Sequence, residues 1–372
     1  MKKILLISFE YPIGKTYCGG VGQIAKLSRK ALTSLGYEVY VLISSEFHKK
    51  YPVKLLLPDD SLLRYSNFWA FQNQYDWHGF NYVIQHFVNL TKEFKKLKKH
   101  KKDRPKIIYH FHSILRREKD SGFETLNHFL FNQEKMIDIA DKIICPSRYE
   151  YENFMRYFPN FGEKVSIIEN TVETFAPQQE RIKNIKFQHG IERNDIVSIY
   201  VGRLEKIKGA EILIQNIPKV LNRHKNLKIF IIGKTLERNL YWRLMKIRKR
   251  FPHRVYYMRY LEKEILFQYF YISHIYINTS LSESFSLTTY ESALCNNALL
   301  LNSLPVFEKF KNAALFFSHP DTNGNGFISK YETLIRNRGL RNELSHKASR
   351  IAKNLLFRNH LEKSFSDFFK TV

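Results

Sequence analysis

The sequence predicts an α/β fold, because short apolar runs typical of buried strands alternate with segments of helical periodicity. Residues 2–9 (KKILLISF) form the first such run, and a glycine-rich turn and a helix-like pattern follow it. Residues 195–201 (DIVSIYV) and 275–277 repeat the arrangement in the second half of the chain. No repeat with the period of a solenoid accompanies them. The alternation therefore favours layered sheets and helices over a helical bundle or an all-strand barrel.

The chain is long enough for two such domains. Its 372 residues can form two hydrophobic cores, and a hydrophobic content of 44% excludes a mainly disordered chain. The polar segment 176–186 (APQQERIKNIK) has the composition of a domain linker. We therefore expect a first domain over residues 1–176 and a second over residues 177–356.

The first predicted strand leads into a turn that contains Gly19, Gly20 and Gly22. Glycines allow a backbone to approach a ligand closely. The residues from Ile24 to Leu35 then show the apolar spacing of a helix. The turn lacks the G-x-G-x-x-G pattern of dinucleotide-binding proteins, which argues against NAD, and by itself it is compatible with any doubly wound protein.

A histidine follows another strand in the first half. Residues 106–111 are predicted to form a short strand, and His112, Ser113 and Arg116 come directly after it. The carboxyl ends of parallel strands form the ligand-binding edge of such sheets. His112 is therefore a candidate site residue, although an isolated histidine in this position is more often structural.

A candidate anion-binding loop follows the strand at residues 195–201. Gly202 begins a turn that carries Arg203 and Lys208, and a helical pattern continues through Leu221. Two cations on a strand-to-helix turn, at the carboxyl edge of a parallel sheet, are suited to binding an anion.

Two glutamates, Glu283 and Glu291, lie on either side of a predicted helix start. Ser286 is a candidate N-cap, and unpaired backbone N–H groups near residues 285–288 would bind phosphate well. Glu291, inside the helix, would accept hydrogen bonds from the vicinal hydroxyls of a ribose, with Glu283 nearer to the group that the phosphate carries. The alternative is that both are solvated carboxylates on an ordinary surface helix.

In their order and spacing, these segments resemble the retaining glycosyltransferases of family 4, a group that includes sucrose-phosphate synthases, glycosyl-inositol synthases and bacterial surface-polysaccharide glycosyltransferases. The family's GR-L-xx-KG loop, E-x7-E pair, GG-x-G turn and HSLGR segment match residues 202–209, 283–291, 19–22 and 112–116. The resemblance implies the GT-B fold, in which two Rossmann-like doubly wound domains face each other across a cleft. It also implies that a C-terminal helix, residues 357–372, packs back on the first domain.

The resemblance implies a role for each matched residue. The positions that correspond to catalytic residues are His112, Arg203, Lys208 and Glu283. The donor-binding positions are Gly19, Gly20, Gly22, Arg203, Lys208, Arg259, Phe285, Ser286, Leu287 and Glu291. Ser113 and Arg116 correspond to the acceptor side. Three departures bear on the donor: Thr279 stands where proline is usual, Ser286 stands where glycine is usual, and Arg259 falls where a glycine commonly precedes the base-binding residue. Arg259 would either contact the base or partly block the pocket.

The implied function is transfer of a sugar, with retention of its anomeric configuration, from a nucleotide-diphosphate sugar of the UDP or GDP type. The acceptor would be a hydroxyl of a saccharide or a lipid-linked molecule, as in cell-surface polysaccharide or glycolipid biosynthesis. No cofactor is implied, and no metal either, because no D-x-D motif stands where a metal would be held. Two alternatives stay open: a GT-B epimerase or phosphorylase, and a basic nucleic-acid-binding or membrane-binding protein with a degenerate site.

The positive charge exceeds what one diphosphate site requires, since 60 Lys and Arg residues face 35 Asp and Glu residues and give a net charge of +25. Much of the excess lies in the segment from Lys92 to Lys106, where Phe94 and Leu97 interleave with the lysines. This segment is either a solvated face or an attachment site for an anionic membrane surface, where each lysine gains roughly 1 kcal/mol. Nucleic acid is disfavoured as a partner because the chain has no recognisable DNA- or RNA-binding module.

The three cysteines, Cys18, Cys145 and Cys295, are odd in number and widely spaced. This pattern favours a reducing compartment and neither a disulfide framework nor a zinc site. The N-terminal apolar run is too short for a signal-peptide core, and no segment has the length needed to cross a bilayer. We expect a cytoplasmic enzyme, either free or attached peripherally to the cytoplasmic face of the membrane.

Overall fold

The computed structural model describes residues 1–13, 18–43, 52–88, 90–99, 104–319, 326–358 and 361–372. The chain forms two compact units, Met1–Thr171 with Asn359–Val372, and Val172–Arg358. Each unit is built on a largely parallel sheet that is flanked by helices, which confirms the predicted pair of Rossmann-like α/β domains.

The first unit contains an eight-stranded sheet. Its strands are β1 (Lys3–Ser8), β2 (Glu38–Ile43), β3 (Val53–Leu56), β4 (Leu62–Tyr65), β5 (Tyr82–Gln85), β6 (Lys106–His110), β7 (Lys142–Cys145) and β8 (Val165–Ile167). Its helices before the second unit are α1 (Gly20–Ser34), α2 (Phe68–Gln74), α3 (Thr91–Lys98), α4 (Leu115–Asp120), α5 (Asn127–Ile139) and α6 (Arg148–Tyr157). Short 3-10 turns lie at Trp77–Gly79 and Pro159–Lys164.

The strand order of this sheet, β4-β3-β2-β1-β5-β6-β7-β8, places the switch point between β1 and β5. From β1 the chain builds outward to β4 on one side, with β3 and β4 antiparallel to their neighbours, and then continues from β5 on the other side. Ligands of open α/β sheets bind at such a reversal, beyond the carboxyl ends of the strands. The glycine turn after β1 and the histidines after β5 and β6 follow these strand ends.

The second unit contains a six-stranded, all-parallel sheet in the order β11-β10-β9-β12-β13-β14. Its strands are β9 (Ile196–Val201), β10 (Leu227–Ile232), β11 (Val255–Met258), β12 (Ile275–Asn278), β13 (Ala298–Asn302) and β14 (Ala314–Phe317). Its helices are α7 (Gln179–Gln188), α8 (Ala210–Arg223), α9 (Arg238–Arg250), α10 (Lys263–Ile272), α11 (Leu287–Leu294), α12 (Phe327–Arg336) and α13 (Arg338–Arg358), with 3-10 turns at Lys206–Lys208 and Pro305–Phe310. The switch point lies between β9 and β12.

Both faces of each sheet are buried, which explains the continuous apolar runs of the strands. In β1, Leu5 and Ile7 join one core cluster, whereas Ile4 and Leu6 join the cluster on the opposite face. The strands of the second unit alternate in the same way between two clusters. A strand covered on both faces has no polar side, so its sequence shows no alternation of polar and apolar residues.

The division between the units falls after Thr171, a few residues before the linker expected from composition. Val172 is buried in the core of the second unit, and the ring of Phe175 lies 5.3 Å from that of Phe267. These apolar contacts attach the start of the polar linker to the second unit.

The last helix, α14 (Leu361–Phe369), belongs to the first unit. Phe365 and Phe368 are buried in its core, and the ring of Phe369 lies 4.7 Å from that of Tyr82. The helix packs beside α1. The chain therefore leaves the second unit after α13 and completes the core of the first.

The basic segment from Lys92 to Lys106 is only partly described, because residues 100–103 lie outside the described ranges. Phe94 and Leu97 of α3 are buried in the first unit, while Lys92, Lys95 and Lys96 are exposed. The apolar residues between the lysines therefore form a packing face, and the lysines form the outer face of the helix.

Candidate functional site

Two loops meet at the switch point of the second unit, one after β9 and one after β12. The backbone N–H of Leu281 donates to the carbonyl of Ile207 at 2.9 Å, and Thr279 Oγ1 donates to the carbonyl of Lys208 at 3.0 Å. Beneath the first loop, the hydroxyl of Tyr200 donates to the carbonyl of Arg203 at 3.1 Å. These bonds fix the position from which Lys208 extends.

Gly209 makes this close approach of the loops feasible. Its φ is +60°, and a Cβ atom there would lie 1.8 Å from the carbonyl oxygen of Thr279. A side chain would therefore carry left-handed strain and force the two loops apart.

We expect Gly209→Ala to lower the free energy of unfolding by at least about 2 kcal/mol, because strain and a backbone collision add. Urea denaturation would measure it. Gly339→Ala is the matched control, since a Cβ at Gly339 would meet only Asn337 Oδ1, at an ordinary 3.5 Å. Equal stabilities of the two variants would show that the loops do not depend on this glycine.

Lys208 and Glu283 form an ion pair between the two loops. Lys208 Nζ lies 2.9 Å from Glu283 Oε1, and that oxygen also accepts a 2.7 Å hydrogen bond from Ser280 Oγ. The side chain of Glu283 is only 10% exposed and that of Lys208 is 25% exposed. The structure therefore joins two of the predicted catalytic residues, and it adds Ser280, which the sequence did not single out.

Arg203 lies on the same loop as Lys208 but in a separate ion pair. Its Nη2 atom is 2.9 Å from Glu205 Oε1, and its side chain is 47% exposed. The two cations expected to act together are thus each balanced by a different carboxylate. Their joint contact with a diphosphate stays a prediction.

Glu291 is buried within α11, with a relative exposure of 2%. Its Oε1 atom accepts a hydrogen bond from Lys263, in the first turn of α10, whereas no described residue forms a hydrogen bond with its buried Oε2 atom. Burial of Glu291 and near-burial of Glu283 exclude the alternative of two solvated surface carboxylates. The free Oε2 atom is an acceptor that a ligand hydroxyl can satisfy.

Ser286 occupies the N-cap position of α11, but it does not cap the helix as expected. Its backbone has φ +69° and ψ 75°, and its side chain does not cap the first turn. Its Oγ atom instead lies 3.1 Å from Asn278 Nδ2 and 2.9 Å from Thr289 Oγ1. Phe285 beside it is buried and stacks on Tyr290, and Leu287, half-buried, begins the helix.

A comparison of Ser286→Gly with Ser286→Ala separates two contributions to the free energy of unfolding, the strain of the positive φ and the hydrogen bonds of the hydroxyl. Both variants lose the hydrogen bonds of Oγ, but only glycine adopts this φ without strain. We expect the glycine variant to be more stable than the alanine variant by about 1 kcal/mol. Urea unfolding of the two proteins side by side measures the difference, and an alanine variant of equal stability would contradict the assignment of strain.

Glu10 occupies part of the glycine turn in the first unit. Its Oε2 accepts from the N–H of Gly19 at 3.0 Å, and its Oε1 accepts from the N–H of Gly22 at 3.2 Å. A Cβ at Gly22 would lie 2.8 Å from the Glu10 carbonyl oxygen, so this position has no space for a side chain. Gly20, in contrast, is exposed. Two of the amides that the resemblance places near the donor phosphates thus bind a carboxylate of the chain itself.

Three histidines cluster beyond β5 and β6. His112 Nε2 lies 3.1 Å from Nδ1 of His86, and the ring of His110 stacks on that of His112 at 5.0 Å. Burial lowers the pKa of His112 to about 3 and the pKa values of His86 and His110 well below the usual range, so all three rings are neutral near pH 7. Sequence reasoning missed His86, although it follows a strand as His112 does.

Buried polar side chains form hydrogen bonds with the backbone of the loop after His112. The N–H of Ile114 donates to Glu150 at 3.0 Å, and Gln133 donates to the carbonyl of Ser113 at 2.8 Å. Burial raises the pKa of Glu150 to about 7, although the nearby Arg117 lowers it. Arg116, the other predicted acceptor residue, is exposed and lies 3.7 Å from Glu134.

Arg259 follows the end of the edge strand β11 and is exposed. Within the described ranges no residue forms an ion pair with it, so its guanidinium is available to a base or a phosphate. Among those same residues, no group of three or more His, Cys, Asp or Glu side chains is arranged to hold a metal ion. None of the described helices is long and apolar enough to span a membrane.

Both halves of the chain match glycosyltransferase family models. Residues 18–174 match the family described as Glycosyltransferase Family 4, and residues 181–351 match Glycosyl transferases group 1. The first match covers the glycine turn and the histidine cluster, and the second covers Lys208, Glu283 and Glu291. Each half of the chain is therefore similar to a glycosyltransferase family, and the two matches follow one another along the chain.

Curated relatives are similar to parts of the chain. The Phosphatidylinositol N-acetylglucosaminyltransferase GPI3 subunit of Saccharomyces cerevisiae is 27% identical over 188 residues, which is 47% of this chain and 39% of that protein. The O-antigen biosynthesis glycosyltransferase WclY of Escherichia coli is 24% identical over 228 residues, 58% of this chain and 62% of that protein. The chain thus covers less than two thirds of the length of either relative.

Solved structures show the same fold over the whole chain. The sucrose-phosphate synthase of Thermosynechococcus elongatus has a TM-score of 0.79 at 14% identity, covering 100% of this chain and 99% of its own. Anabaena HepE, in complex with UDP-glucose, has a TM-score of 0.69 at 16% identity, covering 100% of both chains. The expected GT-B fold class is therefore confirmed.

Proposed function

We propose that this protein is a retaining glycosyltransferase that moves a sugar from a nucleotide-diphosphate sugar to a hydroxyl acceptor. The observation that carries the proposal is the group of residues at the switch point of the second unit. Lys208 extends from one loop toward Glu283 at 2.9 Å, and Glu291 keeps one buried oxygen that has no partner within the described ranges. A cation suits a diphosphate, and a carboxylate with a free acceptor atom suits ribose hydroxyls.

The helix that follows the second loop supports the same proposal. The side chain of Ser286 does not cap the first turn of α11, and the backbone N–H groups of a helix start supply positive potential. Phosphate groups commonly bind at such helix starts. The donor diphosphate would lie across this turn, with its ribose toward Glu291 and its sugar toward Glu283.

In the reaction we propose, the bond between the sugar C1 and the diphosphate oxygen breaks while a bond from C1 to the acceptor oxygen forms on the same face. The acceptor proton passes to the departing phosphate oxygen. Negative charge on the diphosphate grows as the bond breaks, and Lys208, Arg203 and the α11 amides would stabilise it. Fixed cations supply the potential that a metal ion provides in other enzymes, so the proposed reaction needs none.

We further propose that the acceptor is a saccharide or a lipid-linked molecule of cell-surface polysaccharide or glycolipid biosynthesis. The names of the GPI3 and WclY relatives support this choice. The exposed lysines of α3 would attract an anionic membrane surface on which a lipid-linked acceptor is presented. The protein would then act in the cytoplasm, at the inner face of the membrane.

A panel of nucleotide sugars tests the function. Purified protein is incubated with UDP- and GDP-linked sugars, and nucleotide release and thermal stabilisation are recorded for each. We expect one donor class to stabilise the protein and to undergo slow hydrolysis. NMR of the released sugar should first show the anomer of the donor. Conversion of the donor to another nucleotide sugar would identify an epimerase, and the absence of binding to every donor would contradict the proposal.

A further inference from the structure

The histidine pair His86 and His112 contains a hydrogen bond whose direction can be inferred. His86 follows β5 directly, and His112 lies two residues beyond the last residue of the neighbouring strand β6. His86 Nδ1 and His112 Nε2 are 3.1 Å apart. His86 is completely buried, so water does not compete for this bond, whereas His112 retains partial exposure.

Only one proton can lie between the two nitrogens. Burial lowers the pKa of each ring far below neutrality, and each imidazole therefore carries a single N–H group near pH 7. Either His86 donates from Nδ1, or His112 donates from Nε2. In the first arrangement His86 Nε2 is unprotonated and His112 Nδ1 carries a proton. In the second arrangement His86 Nε2 carries a proton and His112 Nδ1 is unprotonated.

The surroundings of His86 distinguish the arrangements. Its Nε2 atom is buried, and among the described residues neither Gln85, nor His110, nor any other group forms a hydrogen bond with it. Both ring nitrogens of the neutral His110 are likewise buried without a partner there, so that ring already carries one unsatisfied N–H. If His112 were the donor, His86 would carry its proton on Nε2 and add a second buried N–H without an acceptor. Orphaned buried N–H groups are rarer in proteins than unsatisfied acceptors. The proton therefore belongs on Nδ1 of His86.

We propose that His86 is a positioning residue that fixes the tautomer of His112, so that His112 presents its Nδ1–H to an oxygen of a saccharide substrate. Among the described residues, none forms a hydrogen bond with Nδ1 of His112, and the ring is partly exposed. A sugar hydroxyl can accept from this N–H. The substrate part of the inference rests on the proposed glycosyl transfer, while the tautomer itself does not.

The tautomer can be measured without any substrate. In protein labelled with 15N-histidine, a two-bond 1H–15N correlation distinguishes protonated from unprotonated ring nitrogens, and His112→Gln assigns the signals by their loss. We expect His112 to show a protonated Nδ1 and an unprotonated Nε2. The reverse pattern would overturn the proposal, whether or not the protein transfers a sugar.

Two variants then test the positioning role. The amide of His86→Asn can still donate to His112 Nε2, whereas His86→Phe keeps a ring but has no donor. We expect His86→Phe to lower kcat about tenfold, as the loss of one hydrogen bond does, and to give His112 a mixed tautomer signal. His86→Asn should retain the wild-type His112 spectrum and most of the activity.

The outcomes separate this role from a merely structural one. A His86→Phe protein with wild-type His112 signals and wild-type kcat would contradict the proposal. If His86→Phe fails to fold, the wild-type spectrum decides, because a His112 ring protonated on Nε2 contradicts the assigned donor. If the wild type transfers no sugar, the spectra still test the tautomer, and the failure then belongs to the proposed function.

Discussion

Replacing Lys208 with methionine is expected to lower kcat/KM for sugar transfer by about two to three orders of magnitude. The ammonium group is held 2.9 Å from Glu283 by loops that are bonded to each other, so it is positioned before any ligand binds. Negative charge on the departing diphosphate grows in the transition state, and a fixed cation stabilises that state more than the bound donor. The loss should therefore fall mainly on kcat. Steady-state kinetics with the donor identified by the panel would measure it.

Lys206→Met is the matched control for this variant. Lys206 lies on the same loop and is exposed. Its replacement by methionine removes the same charge from the same region of the surface. We expect its kcat/KM to stay within about twofold of the wild type, since an exposed charge is screened by solvent. Equal losses in the two variants would show that net charge matters and that the position of Lys208 does not.

Replacing Glu291 with glutamine is expected to weaken binding of the nucleoside diphosphate by about 10- to 100-fold, because hydrogen bonds to a charged acceptor are lost. The buried Oε2 atom has no partner in the part of the chain that the structure describes, and two vicinal ribose hydroxyls can both donate to a carboxylate. An amide offers only one acceptor oxygen, and its NH2 group cannot accept. Calorimetric titration with UDP and GDP measures the change.

Glu308→Gln is the control, because it also removes a carboxylate paired with a lysine in the second unit. Glu308 Oε1 lies 3.3 Å from Lys311 Nζ, and both side chains are 71% exposed. This variant should bind the nucleotide as the wild type does. Wild-type affinity in Glu291→Gln as well would remove the basis for the ribose contact.

The sequence predicted the architecture well because the strands carry a strong local signal. A parallel strand buried on both faces is a continuous apolar run, as in β1 and β9, and a glycine turn and a helix follow each of them. The positions of Lys208, Glu283 and Glu291 relative to strand ends were predictable for the same reason. Each of these residues comes after a predicted strand, so the strand that precedes it identifies the loop in which it lies.

The partners of the site residues were not predictable, because they lie outside the segments that the motifs define. Lys263 binds Glu291 from another helix, and Glu10 binds the amides of Gly19 and Gly22 from the opposite end of the turn. No spacing rule links such pairs. Ser286 shows a further limit, since its residue type is favoured at an N-cap while its actual φ of +69° turns the hydroxyl toward Asn278.

A crystal structure of the protein with UDP or GDP bound would show whether Lys208 and Glu291 bind the donor. We expect diphosphate oxygens within about 3 Å of Lys208 Nζ, with a ribose hydroxyl donating to the Oε2 atom of Glu291. A nucleotide bound elsewhere, with Lys208 still paired only with Glu283 and Oε2 still without a partner, would contradict this expectation.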